Sequence, residues 1–114
     1  MYYPLPEPDE QPDHTGWSWH RTRDYVFDRD WGICHACGAE IDRAEYECGH
    51  IVDRVCGGSD ALSTLVVMCR TCNQLKPCHE TREQYVAWVE AGGWLADLAR
   101  LAEQRRQFRD ASTL

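Results

Sequence analysis

Apolar and polar positions change period along this chain, and the changes mark out its elements. Between Ser18 and Asp30, Trp19, Tyr25, Val26 and the stem of Arg29 fall on one side and Arg21, Arg23, Asp24 and Asp28 on the other, which predicts a helix. Ser18 is suited to cap it and Gly32 to end it. From Ile33 to Val67 the pattern shortens and turns β-like. One strand is expected around Glu45 to Val52, a turn at Gly57-Gly58, and a second strand around Leu65 to Met68. A short helix over Asn73 to Lys76 is stopped by Pro77. Thr81 and Gln84 read as a capping box ahead of the stripe Tyr85, Val86, Trp88 and Val89, which breaks at Gly92-Gly93. Beyond it Leu95, Leu98, Leu101, Ala102 and Phe108 recur at helical spacing. Residues 1–16 carry four of the five prolines and no period, so they read as a flexible or extended arm.

The chain has 114 residues, room for one domain whose own core is small. Its organisation is read as an acidic Pro-rich arm over 1–16, a compact unit over 17–79, and a helical extension over 80–114 that packs on the same unit. No run of residues reaches the ~20 apolar positions of a membrane span. The opening residues have neither a basic start nor a secretory apolar run, which leads to the expectation of a cytoplasmic protein. The formal charge of −7 argues against a broad basic footprint for nucleic acid. Its distribution softens the argument, because residues 1–17 hold four acidic and no basic side chains, while 18–79 carry only −2 and 80–114 only −1.

Cysteine changes the picture most. Cys34-x-x-Cys37 and Cys69-x-x-Cys72 are two tight turns whose thiolates can meet at one tetrahedral ion. The alternative is four buried free thiols, which the doubled spacing disfavours. With four thiolates and no open position, such a zinc is structural, and it adds stability that the small core lacks. The 31 residues between the pairs exceed a compact zinc ribbon, so something folded lies between them. Cys48, Cys56 and Cys78 are read as core or free thiols, and His35 and His79 as surface residues.

That enclosed segment runs Glu47-Cys48-Gly49-His50-Ile51-Val52, Gly57-Gly58-Ser59-Asp60 and Ser63-Thr64-Leu65, and closes on Cys69-x-x-Cys72-Asn73-x-x-Lys76. In this order it resembles the His-Asn-His (HNH) endonuclease family in its four-cysteine, zinc-containing form, over roughly residues 17 to 77. The resemblance implies an α+β class, a small ββα-metal fold with a structural zinc knuckle and flanking helices. It implies DNA as partner, a DNA-processing or packaging assembly as setting, and a phage-encoded origin. It makes His50 the general base that activates water, places Thr64 at the family's central Asn, and makes Asn73 a ligand of a catalytic Mg²⁺ or other divalent ion. Lys76 falls where the family often has a lysine. It and the cluster of Arg21, Arg23, Arg54 and Arg70 are candidate phosphate contacts.

Two positions depart from the family pattern. Thr64 replaces the orienting Asn with a single hydroxyl. Gly49 replaces the usual Asp or His ligand before the base, leaving Glu47, two residues earlier on the same strand face, or Asp53 to supply a carboxylate. Glu47 reads equally as an ordinary exposed strand charge. The departures keep open a non-catalytic zinc-knuckle module that docks on a larger assembly, and, further back, an acidic mimic of nucleic acid.

Overall fold

A computed structural model describes residues 3–112, without the side chain of Ser112. Residues 1–2 of the expected arm and 113–114 of the expected extension lie outside them. Helix α1 spans Trp19–Arg29, strand β1 Glu47–His50, strand β2 Leu65–Met68, helix α2 Arg70–Leu75, helix α3 Arg82–Glu90 and helix α4 Gly93–Ser112. The two strands pair antiparallel, Glu47 opposite Met68 and His50 opposite Leu65, and α2 follows directly. This is the ββα order of a small α+β metal fold. No helix among the described residues is long and apolar enough to cross a membrane.

Local chemistry sets the boundaries. The Ser18 side chain accepts the Arg21 N–H at 3.1 Å and starts α1, and the Thr81 hydroxyl accepts the Gln84 N–H at 3.1 Å and starts α3. Gln84 reaches back to the Glu80 N–H at 2.7 Å, one residue earlier than in a standard capping box. The helix around Asn73 begins earlier than expected, at Arg70, because Cys69 caps it by accepting the Cys72 N–H on sulfur.

A lone two-stranded sheet is marginal in water, so both faces must be covered. Alternation in β2 sends Val66 and Met68 into a core with Ile51, Cys34, Cys72 and Tyr85. Leu65 and Val67 enter a second core with Val26, Tyr46 and Leu62, beneath α1. Burial on both faces explains why β2 reads as an unbroken apolar run. Its open edge is closed by two hydrogen bonds: the His35 N–H donates to the Val67 carbonyl at 2.9 Å, and the Val67 N–H donates to the Asp30 carboxylate at 3.1 Å. Arg29 pairs with Asp30 at 2.8 Å and donates to the Leu62 and Leu65 carbonyls, so the end of α1 is clamped to the sheet.

Three expectations are corrected here. Residues 3–11, read as a flexible or extended arm, lie on the domain: Leu5 is buried in the first core, and the Tyr3 hydroxyl is shared between Asp30 at 3.1 Å and the Ile33 carbonyl at 3.2 Å. Isolated anchors of this kind leave no periodic trace in a sequence. His35 and His79, read as surface residues, are buried. His35 donates from Nε2 to the Tyr3 carbonyl at 3.0 Å and accepts the Tyr85 hydroxyl on Nδ1 at 2.6 Å; burial holds its pKa down to about 4, so the ring is neutral. His79 sits against the rings of Tyr85 and Trp88. Third, Cys56 and Cys78, read as core or free thiols, form a disulfide that ties the inter-strand loop to the exit of α2.

The disulfide and the buried His79 each have a measurable consequence. The disulfide closes a sequence separation of 22, and opening it by Cys56→Ser with Cys78→Ser should lower unfolding free energy by about 3 kcal/mol. Denaturant midpoints of oxidised wild type and the double variant measure this. Burial, and then the Lys76 charge, hold the His79 pKa below its ordinary value, and Nε2 has no partner. The unfolded chain therefore binds this proton first, so the folded state loses stability as pH falls below about 6.5. Melting temperature should drop across that range, and His79→Phe should flatten the drop.

Candidate active site

The two Cys-x-x-Cys turns converge. The sulfurs of Cys34, Cys37, Cys69 and Cys72 all lie within 4.8 Å of one another, close to the edges of about 3.8 Å expected of a tetrahedral zinc-thiolate site. Gly38, at φ 80°, lets the first turn close, with its N–H on the Cys34 carbonyl at 2.8 Å. The bond with Cys72 draws the Cys34 thiol pKa down, and burial pushes that of Cys37 up. The four cysteines are positioned to bind a metal ion, and their soft sulfurs fit zinc. Cys48 lies outside this set, on the α1 side of the sheet.

At the far end of β1, His50 Nε2 meets Asp60 Oδ1 at 2.8 Å. When Nε2–H donates to the carboxylate, Nδ1 is the ring nitrogen whose lone pair can accept a proton. Asp60 also takes Arg54 Nη1 at 2.8 Å, and its pKa is held below the usual carboxylate range, chiefly by the His50 bond. The loop is fixed by Thr64. Its hydroxyl lies between the carbonyls of Ser59 at 2.9 Å and Ala61 at 2.8 Å, and its own carbonyl accepts the Ile51 N–H. Thr64 thus holds the loop that presents Asp60, while the side chain bonded to His50 is Asp60 itself.

On the opposite face of β1, Asn73 Nδ2 donates to Glu47 Oε1 at 2.8 Å. A Cβ built at Gly49 would lie 3.1 Å from Asn73 Oδ1 and only 2.6 Å from Met68 Sδ. Position 49 therefore faces Asn73, but Met68 fills the space a ligand there would need. Glu47 offers the nearby carboxylate instead, and it and the Asn73 amide oxygen are hard donors that suit Mg²⁺ or Mn²⁺.

Residues 34–82 match the HNH endonuclease family model. The HNH match begins at the first zinc-knuckle cysteine and runs through both strands, α2 and the disulfide, so it covers every group described above. No curated protein and no solved structure gives a significant match. Helices α1 and α4 lie outside the HNH segment.

The fold disposes the basic candidates unequally. Arg70 is exposed at the start of α2, and Arg21 lies over the Trp17 ring at 4.3 Å. Arg23 donates to the Tyr46 carbonyl at 2.9 Å and stacks on its ring. Lys76, read as a phosphate contact, is turned inward: its side chain is 2% exposed and its ammonium bonds Asp53 at 2.8 Å. That pair also occupies Asp53, the alternative carboxylate. Asp60 is the site residue that sequence reasoning missed. Its position after Gly57-Gly58-Ser59 was visible, but not that the loop folds back by ten residues onto His50.

Proposed function

We propose that this protein is a metal-dependent endonuclease that hydrolyses phosphodiester bonds in DNA, with His50 as general base. The observation that supports it most is the His50–Asp60 pair at the end of β1, within an HNH segment whose four cysteines converge. Asp60 holds the Nε2–H tautomer, and His50 Nδ1 takes a proton from water. The water oxygen bonds to phosphorus as the bond to the 3′ oxygen breaks, and the departing oxygen takes a proton from solvent. The ends left are a 5′-phosphate and a 3′-hydroxyl. Glu47 and Asn73 would hold a divalent ion, which would supply charge neutralisation at the phosphate and the leaving oxygen. Exposed Arg70 and Arg21, with Arg54 beside Asp60, are the phosphate contacts in this reading. Zinc on the four cysteines is structural.

A second reading, a non-catalytic DNA-binding module, is favoured by Gly49 and by the way Met68 fills its surroundings. Ligation separates the two. Zinc-loaded protein should nick supercoiled plasmid with Mg²⁺ or Mn²⁺ and not with EDTA, and the nicks should reseal with DNA ligase alone. Intact plasmid under every metal favours the binding module, and nicks that ligase cannot reseal contradict the proposed bond cleavage.

A further inference from the structure

An aromatic cleft of about 360 Å³ adjoins the His50–Asp60 pair, lined by His14, Trp17, Trp19, Thr22 and Asp60. Trp17 is a fixed wall. Its ring packs edge-on against His14 at 6.1 Å and Tyr25 at 5.5 Å, and the Arg21 guanidinium lies over it at 4.3 Å. Trp19, the first residue of α1, keeps 48% of its surface exposed. Asp60 closes the cleft with the carboxylate that also holds the proposed base.

Resting on the nuclease reading, we propose that this cleft seats an unpaired nucleobase of the strand being cut, so the protein acts on single-stranded or locally unpaired DNA. Two observations carry this beyond the catalytic pair. The first is chemistry: indole faces bind bases by stacking, and only an unstacked base has a free face to offer. The second is charge. With a net −7, Lys76 and Arg29 turned inward and Arg23 engaged on Tyr46, phosphate contacts alone supply little affinity. Stacking on the half-exposed Trp19, beside the Arg21 guanidinium that covers Trp17, supplies affinity without further positive charge. The shared wall at Asp60 places the seated base beside the phosphate presented to His50.

The test uses the full zinc-loaded chain carrying His50→Ala, so that binding is read without cleavage. Tryptophan quenching and fluorescence anisotropy are measured with one labelled oligonucleotide, single-stranded and as its duplex. The single strand should bind more tightly. Adding Trp19→Ala should weaken it about 5- to 150-fold with little change for duplex, and Trp19→Phe should restore most of the loss. Zinc content and circular dichroism confirm that the variants fold. Equal affinity for both forms, or single-strand affinity indifferent to Trp19→Ala, overturns the proposal. Trp19-dependent single-strand binding by a protein whose His50 form never cuts keeps the cleft and removes the nuclease reading.

Discussion

Stripping the metal with a chelator, or replacing Cys72 by Ser, should unfold the protein. Cys34 and Cys72 are 0% and 1% exposed and sit in the first core, so the site is part of the interior. The knuckle also docks on the sheet through the His35 N–H and the Val67 carbonyl. A loss of metal therefore releases the Ile33–Glu40 turn, the β2 edge and the start of α2 together. Structural zinc contributes about 10–16 kcal/mol in isolated fingers, against a total stability of about 5–15 kcal/mol for an ordinary domain. The Cys56–Cys78 disulfide, at about 3 kcal/mol, is too small to offset that loss. Circular dichroism and zinc analysis should show one zinc per chain in wild type and in Cys48→Ser, and a zinc-free, unfolded Cys72→Ser. A folded, zinc-free wild type contradicts this.

His50→Ala should lower the DNA cleavage rate by at least about 100-fold, the usual contribution of a positioned general base. The ring is part-buried at the end of a strand whose partner is anchored on both faces, so its truncation leaves the fold intact. Asp60 acts through His50. Asp60→Asn keeps the shape but offers an amide able to donate to Nε2, which favours the tautomer with Nδ1 blocked. Its kcat should fall while KM holds, whereas loss of a mere surface ion pair would move neither.

Much of this was legible in the residues. The two Cys-x-x-Cys turns, the strand at Leu65–Met68 and the caps at Ser18 and Thr81 are local chemistry, and the structure has each where the sequence places it. What escaped depends on contacts distant in sequence. Cys56 and Cys78 pair across 22 positions, and Asp60 reaches His50 only through the path of a loop. Tyr3 and His35 meet because a non-periodic segment happens to carry two anchors, Tyr3 and Leu5. Lys76 shows the limit of spacing: a lysine in the right place in the sequence is turned inward by Asp53.

Hydrolysis by His50 is tested most directly by plasmid nicking with wild type and His50→Ala at equal zinc content with Mn²⁺. Wild type should nick the plasmid, EDTA should abolish the nicking, and His50→Ala should lower it at least about 100-fold. Equal nicking by the two proteins would contradict it.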